Sequence, residues 1–447
     1  MKNMLKLATP VVLTYLGLML MGFVDLLFVG RVSPTAIGAV GVGTSIFIWF
    51  MIFGIGLLTG MDYPISHAFG AGKTEEGHRV LNQGLIVSVI MSVPLTVMLL
   101  FLNHHLAVFG FNPQILSETQ GYLEVIAWSL LPTFVFSALR QYLQAIGIAR
   151  PALVILVVAN VLNALANYAL IFGKWGMPAL GTVGSAWATF VSRGFMMIVM
   201  AIYVWRWDAK HHQYFKKVVF QYERDLMKTL LRLGTPSALQ MLFEVGVFAT
   251  STTLAAKLTA SELAAHQIVL NTASMTFMVP MGISSATAVL VGQHMGKNDF
   301  RGARITGWRG FALGVGFMAF SAVMLLLFPD AILSIYTTDS QVLEVGKSLL
   351  LVVALFQLSD GAQVVGTGAL RGIADTHSPM YVNLVGHWAL GLPVGVYLCF
   401  SLHWGVKGLW VGLSSGLTLV ALTLVFIWWK KSHLLKSRTV VEIADFA

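Results

Sequence analysis

The chain alternates between long apolar stretches and short polar ones, and this pattern predicts its elements. Twelve apolar stretches are each about 20 residues long, enough for a helix to cross the ~30 Å of hydrocarbon in a bilayer. They lie at residues 7–29, 38–59, 82–102, 120–145, 152–173, 183–205, 229–256, 264–291, 308–328, 345–369, 380–400 and 406–429. Lipid offers the backbone no hydrogen-bond partners, and the stretches lack the strict alternation of barrel strands. The pattern therefore predicts an all-α polytopic membrane protein with twelve transmembrane helices.

Composition agrees with this fold class. Of the 447 residues, 57% are hydrophobic and 11% are charged, and the mean hydropathy is +0.79. This balance excludes an ordinary water-soluble globule. The single cysteine, Cys399, rules out a disulfide framework within the chain. The first apolar stretch holds Pro10 and Asp25 and has no small-residue cleavage site, so we expect it to remain as the first helix.

The lysines and arginines predict the orientation. With both termini in the cytoplasm, 22 of the 28 fall on the cytoplasmic side, as the positive-inside rule requires. Five fall outside, namely Arg31, Lys174, Lys257, Lys347 and Lys407. Arg193 falls within helix 6, with no role assigned. We expect a multi-pass protein of the cytoplasmic (inner) membrane whose basic loops face anionic lipid, and no nucleic-acid partner despite the net charge of +9.

The chain is an internal duplication. "KLATP" at 6–10 recurs as "RLGTP" at 232–236, and the same offset of 226 pairs Ser33 with Thr259 and Gly56 with Gly282. Each copy has an even number of spans, which makes the repeat parallel, about an axis along the membrane normal. The predicted domains are an N-lobe at 1–205 (helices 1–6), a cytoplasmic linker at 206–228, a C-lobe at 229–429 (helices 7–12) and a cytoplasmic tail at 430–447.

Three acids lie inside predicted helices, namely Asp25 in helix 1, Glu244 in helix 7 and Asp360 in helix 10. An acid at the centre of a span costs about 2.5–3.5 kcal/mol on insertion scales, so such residues usually face a polar interior and mark a functional pathway. The repeat gives none of the three an acidic counterpart. Buried carboxylates can hold a proton, bind Na⁺ or pair with a cationic substrate, and competition among these uses is the chemistry of antiport.

Polar amides lie close to these acids in the sequence pattern. Asn163 and Asn167 share one face of helix 5, where they could orient a carboxylate. A packing seam between helices is the other reading of this pair. Gln240 lies one turn before Glu244 and is expected to support it.

Aromatic and polar residues extend the candidate site. Phe356 lies one turn before Asp360, where its ring could contact a cation. Gln267 and Asn271 lie four residues apart on helix 8 and are candidates to line a substrate cavity. No zinc site is expected, because the loop histidines lack acids or cysteines at metal-binding spacing. "GAGKTEEG" at 70–77 fails the phosphate-loop spacing, so we expect no cofactor beyond a coupling ion.

Several stretches together resemble one transporter family. They are "GFVDLLFVG", "LRQYLQAIGIARP", "NALANYALIFG", "LQMLFEVGVF", "AAHQIVLN", "FQLSDGAQVVGTGALRGIADT" and "NLVGHWALGLPVG". They are similar to the multidrug and toxic compound extrusion (MATE) transporters over essentially the whole chain, and most similar to the NorM-like branch. The resemblance implies two six-helix lobes in a V, which export organic cations against inward Na⁺ or H⁺.

The resemblance also implies roles for single residues. Glu244 and Asp360 match the cation-coupling acids of the C-lobe, and would be the Na⁺ ligands, whereas Asp25 matches the N-lobe acid tied to proton coupling. Ser45 and Gln267 match positions that are implicated in the drug cavity of the family. Asp339 matches an acid near the outer mouth of that cavity.

Two departures from the family pattern leave the coupling ion open. Phe356 stands where some relatives have a tyrosine, so a hydroxyl is missing from the cation site. Asn167 stands where archaeal proton-coupled relatives have an aspartate, so that N-lobe relay is incomplete. Coupling to Na⁺ through the C-lobe pair is the preferred reading, with H⁺ through Asp25 as the other.

Other functional classes fit the sequence less well. A lipid-linked saccharide flippase of a related superfamily is the alternative, but it should line its cavity with cationic residues for a pyrophosphate, whereas the central charges here are mainly acidic. An enzyme or receptor would need a catalytic constellation or an extramembrane domain, and the outer loops are too short for one. We expect a monomeric transporter, not an enzyme.

Overall fold

The computed structural model describes residues 1–110, 112–212, 214 and 221–435. This part of the chain is helical and contains no strand, and twelve of its helices are long and apolar enough to cross a membrane. The spans are α1 (Asn3–Val29), α2 (Pro34–Gly70), α3 (Thr74–His104), α4 (Pro113–Ala145), α5 (Arg150–Phe172), α6 (Gly181–His211), α7 (Arg224–Ala255), α8 (Ala260–Gly296), α9 (Phe300–Leu327), α10 (Ser340–Arg371), α11 (His377–Ser401) and α12 (Gly405–Leu434). The predicted all-α class with twelve spans is confirmed. Residues 213 and 215–220 of the predicted linker and 436–447 of the predicted tail lie outside the described residues.

Most helices extend beyond the stretches predicted from hydropathy. The stretch at 38–59 is the apolar centre of α2, which continues through a 3₁₀ turn at Thr59–Met61 to Gly70. The stretch at 82–102 is likewise the centre of α3. Hydropathy detects only the apolar length of a helix, whereas backbone hydrogen bonding continues into its polar ends.

The sequence repeat recurs in the structure. Ser33 caps the N-terminus of α2 by accepting from the Ala36 amide at 3.0 Å, and Thr259 caps α8 in a capping box with Glu262. These two caps are the pair that the repeat offset relates.

Close helix contacts recur with the same offset. A Cβ on Gly56 would lie 2.6 Å from the Cα of Ala238, and a Cβ on Gly282 would lie 2.8 Å from the backbone nitrogen of Val12. At both places a glycine lets two helices approach to backbone contact. The equivalent contacts therefore occur once in each of the two compact units described next.

Internal contacts divide the chain into two compact units. The C-unit comprises Met1–Val12, Phe69–Gly72 and the chain from Leu239 onward, and the N-unit comprises Leu13–Ala68 and Lys73–Ala238. The chain thus changes unit within α1 and within α7, and a short segment at the end of α2 also belongs to the C-unit. In the core of the C-unit, Leu349, Val353 and Trp410 are fully buried. In the N-unit, the ring of Phe134 packs on Gly54.

Helix α11 is irregular and packs tightly on α12. Its segments Leu384–Gly391 and Tyr397–Ser401 are π-helical, with an α-helical turn between them. A Cβ on Gly412 of α12 would lie 2.2 Å from the Cα of Gly395, and one on Gly416 would lie 2.8 Å from the Cα of Gly391. The two backbones are therefore in direct contact along a glycine seam, which we call the α11–α12 seam.

Candidate functional site

The N-unit contains a hydrogen-bonded group around Asp25, the Asp25 cluster (Asp25, Asn163, Asn167 and Thr189). The Nδ2 of Asn167 donates to Oδ1 of Asp25 at 2.6 Å and to Oδ1 of Asn163 at 3.1 Å. The hydroxyl of Thr189 on α6 donates to the other carboxylate oxygen at 2.7 Å. All four side chains are buried. Both oxygens of the Asp25 carboxylate therefore accept a strong hydrogen bond from a neutral donor.

Two further polar residues of the N-unit lie outside this cluster. Asn160 donates to the Gly17 carbonyl of α1 at 3.1 Å, so it belongs to a seam between helices. Arg193, which the sequence left unassigned, donates to the hydroxyl of Ser129 at 2.7 Å, and its guanidinium carbon lies 4.8 Å from the centre of the Phe47 ring. It lies one turn from Thr189 on α6, and its positive charge acts on Asp25.

The C-unit contains the second group, the Glu244 cluster (Gln240, Glu244, Asp360, Gln363 and Asn383). Gln240 and Gln363 both contact the Glu244 carboxylate, with the Nε2 of Gln363 at 3.5 Å from its Oε2. The same Nε2 donates to Oδ1 of Asn383 at 3.1 Å. Asp360 is also buried, and it lies close enough to Glu244 for the two carboxyl groups to interact electrostatically. The structure therefore brings together Gln240, Glu244 and Asp360.

The Glu244 cluster has more acceptors than donors. Among the described residues, the Asp360 carboxylate makes no hydrogen bond and the buried Oε1 of Gln363 has no partner. The described residues also contain no group of three or more histidines, cysteines or acids that could hold a metal ion. The cluster is thus a pair of carboxylates with amide oxygens, a donor set that suits a weakly bound hard cation rather than a transition metal.

Phe356 lies in an aromatic group beside the Glu244 cluster. Its ring packs edge-on against Phe248 and Trp410, with centroid distances of 6.2 and 5.8 Å. The indole of Trp410 donates to Nδ1 of His266 at 3.1 Å, which fixes the orientation of the whole group. Phe356 is only 3% exposed, and the described cation–π contacts involve other rings. Its cation-binding role stays a prediction.

The residues predicted for a substrate cavity are exposed. Ser45 donates to the Gly41 carbonyl of its own helix at 2.8 Å, and the Oδ1 of Asn271 accepts from the hydroxyl of Tyr336 at 3.2 Å. Gln267 is also exposed. In the described part of the chain, none of these three is hydrogen-bonded to one of the predicted coupling acids.

Asp339 stabilises the N-terminus of α10 in the C-unit. It is the N-cap of α10, and its Oδ1 accepts from the amides of Gln341 and Val342 at 2.9 and 3.0 Å. Its carboxylate is nevertheless exposed, so the cap leaves it open to a ligand.

Sequence reasoning missed several polar partners. Thr189, Gln363 and Asn383 are uncharged, and only the packing of α6, α10 and α11 brings them to the acids. It also missed Asp62, a buried acid in the continuation of α2 beyond residue 59. With the Gln141 amide turned so that its nitrogen faces acceptors, that nitrogen lies 3.2 Å from Asp62 Oδ1. The stretch predicted for helix 2 ends at residue 59, so Asp62 was not recognised as an acid inside a helix.

Twelve long apolar helices with two buried groups of acids and amides define a multi-pass membrane protein of the transporter class. Three comparisons with known proteins agree. The MatE family model matches residues 10–169 and 236–397, two segments that begin 226 residues apart. The chain belongs to this family, the MATE transporters.

Named relatives are similar over nearly their full length. The chain is 34% identical to a protein of Mesorhizobium japonicum named probable multidrug resistance protein NorM, over 96% of this chain and 94% of that protein. It is 33% identical to the multidrug resistance protein NorM of Vibrio cholerae, over 94% and 93%. In fold it matches the crystal structure of the eukaryotic MATE transporter AtDTX14, with a TM-score of 0.87, 19% identity and 98% of each chain covered.

Proposed function

We propose that the chain exports organic cations by antiport, with Na⁺ bound between Glu244 and Asp360 as the coupling ion. The relatives' names support drug efflux, and membership of the MATE family supports transport. The proposal includes the predicted membrane, orientation and monomeric state. It also includes alternating access between the lobes at 1–205 and 229–429.

The observation that carries the Na⁺ assignment is the surplus of oxygen acceptors in the Glu244 cluster. Two neighbouring carboxylates repel each other when both are ionised, and a bound cation removes that repulsion. Asp360 has no described hydrogen bond, and Gln363 offers an unused amide oxygen. Hard cations take oxygen ligands of this kind.

The Asp25 cluster fits a proton better than Na⁺. Both oxygens of Asp25 already accept hydrogen bonds, and the nearby Arg193 charge opposes a second cation. A hydroxyl can either donate or accept, so Thr189 can turn to accept from a protonated Asp25. H⁺ through Asp25, acting alone or alongside Na⁺, is therefore the second form of the proposal.

The mechanism follows from competition for negative charge. An organic cation enters from the cytoplasmic side and pairs with the carboxylates, with Ser45, Gln267, Asn271 and Asp339 as candidate contacts. After the lobes open outward, Na⁺ or H⁺ neutralises an acid, and the drug loses its charge partner. Each inward elementary charge that crosses the full field contributes about 2.3 kcal/mol per 100 mV.

The test is efflux of a fluorescent cationic dye from proteoliposomes under a Na⁺ gradient or a pH gradient, imposed separately. We expect the Na⁺ gradient to drive efflux and Glu244→Gln to abolish that drive. Glu344→Gln, which neutralises an exposed acid on α10, is the matched control and should behave as wild type.

Each other outcome has a defined meaning. Efflux under a pH gradient alone, lost in Asp25→Asn and retained in Glu244→Gln, would move coupling to the Asp25 cluster and refute the Na⁺ assignment. No dye movement under either gradient would refute antiport of organic cations and would favour the alternative function, a lipid-linked saccharide flippase.

A further inference from the structure

A tryptophan of α11 contacts the backbone beside the acid of the Glu244 cluster. The indole Nε1 of Trp388 donates to the carbonyl oxygen of Phe243 at 2.9 Å. Phe243 immediately precedes Glu244 on α7, so this bond holds α7 at the residue that carries the acid. Inside a bilayer an indole N–H finds no water to replace such a partner, which makes the bond costly to break.

The same helix reaches Glu244 by a second route. The Oδ1 of Asn383 accepts from Gln363, whose amide also lies beside the Glu244 carboxylate. Asn383 is fully buried, and its Nδ2 donates to the carbonyl of Pro379 at 2.8 Å. Its amide orientation is thus set within α11. One helix therefore holds Glu244 through side-chain amides and through the backbone.

The π-helical segment Leu384–Gly391 begins directly after Asn383 and contains Trp388. Asn383 and Trp388 are five residues apart, and in a regular α-helix they would point about 140° away from each other. The i→i+5 pattern of a π-helix brings residues five apart to nearly the same side. It also aligns Gly386 and Gly391, again five apart, toward the α11–α12 seam. The π-helical geometry therefore suits the contacts of α11 with the Glu244 cluster and also its contacts with α12 along the α11–α12 seam.

We propose that Trp388 is a positioning residue for Glu244, and that with Asn383 it sets the separation of the Glu244 and Asp360 carboxylates that the coupling cation requires. The inference rests on the proposed function, because it concerns the same acids. An indole and an amide are neutral, so they place Glu244 without competing for the cation. Without them, repulsion between the two carboxylates can move Glu244 away and weaken cation binding.

Trp388→Phe tests this role, because it removes the indole N–H and keeps an aromatic ring. Trp404→Phe, at an exposed tryptophan that precedes α12, makes the same chemical change as a matched control. Dye efflux from proteoliposomes is measured over a range of Na⁺ concentrations. We expect the half-saturating Na⁺ concentration of Trp388→Phe to rise roughly three- to tenfold. Its maximal rate should stay within about twofold of wild type, and Trp404→Phe should be unchanged.

The split between Na⁺ affinity and maximal rate separates positioning from a purely structural role. A lower maximal rate with unchanged half-saturating Na⁺, or equal shifts in both tryptophan variants, would overturn the inference. Calorimetric titration of the purified variants with NaCl gives an independent measure of Na⁺ binding. A wild-type protein with neither Na⁺-driven efflux nor Na⁺ binding would overturn the proposed coupling ion and this inference together. A Na⁺-dependent wild type with an unshifted Trp388→Phe would overturn this inference alone.

Discussion

The α11–α12 seam leaves no room for a side chain at Gly412. In Gly412→Ala the new Cβ would lie 2.2 Å from both the Cα and the backbone nitrogen of Gly395. Backbone atoms cannot rotate away as a side chain can, so the helices must separate by about 1 Å to restore van der Waals contact. Overpacking of this kind typically costs about 1–3 kcal/mol, offset by a gain of up to about 1 kcal/mol when alanine replaces glycine in a helix.

Gly316→Ala is the matched control for this change. Gly316 lies inside α9, and a Cβ there meets nothing within 4 Å. Only the helix-propensity gain applies, so the two variants should differ by about 1–3 kcal/mol in unfolding free energy. Thermal unfolding of the detergent-purified proteins, followed by tryptophan fluorescence, should place Gly412→Ala below wild type and Gly316→Ala at or above it.

Helix α11 forms one side of this seam and also bears Asn383 and Trp388. A substitution that pushes α11 away from α12 should therefore disturb the Glu244 cluster. We expect Gly412→Ala to raise the half-saturating Na⁺ concentration, as Trp388→Phe does, whereas Gly316→Ala should not. Equal melting temperatures for the two glycine variants would refute the claim that the backbones are in contact at Gly412.

Two further predictions concern the acids. Thr189→Val keeps the side-chain shape but removes the 2.7 Å hydrogen bond to Asp25. Efflux driven by an H⁺ gradient should therefore fall several-fold, while efflux driven by a Na⁺ gradient persists. Equal loss under both gradients would contradict a role specific to Asp25. Asp339→Asn keeps a good N-cap for the amides of Gln341 and Val342 but removes the charge. Thermal stability should therefore be unchanged, and a raised half-saturating concentration of cationic dye would support Asp339 as a substrate contact. An unchanged dye affinity would leave it as a cap alone.

The fold was predictable because its signal is local. Each span is a long apolar stretch, and a helix is the only form such a stretch can take in lipid on its own. The ends were less predictable, since helix ends depend on caps and hydrogen bonds in polar sequence. That limit hid Asp62, which lies in α2 beyond the apolar stretch that predicted helix 2.

The candidate site was predictable only in part. Asp25, Glu244 and Asp360 stand out because a charge in an apolar helix is rare, and the spacing of Asn163 and Asn167 placed both on one face. Thr189 carries no periodic signal, and its contact depends on how α6 packs on α1. The π-helical turn of α11 has a trace in the sequence. Glycines spaced four apart on α12 meet glycines spaced five apart on α11, at 386 and 391, and a spacing of five matches a π-helix rather than an α-helix.

The passage of the chain from one unit to the other within α1 has a consequence for biosynthesis. Val12 packs against Gly282 in the C-unit, yet about 270 residues separate them in the order of translation. At about 5–20 residues per second, the ribosome needs roughly 15 to 55 s to supply that partner. The first turns of α1 must therefore remain without their final neighbour until α8 is made. A truncated message that ends before α8 should leave this segment undocked and exposed to quality-control proteases.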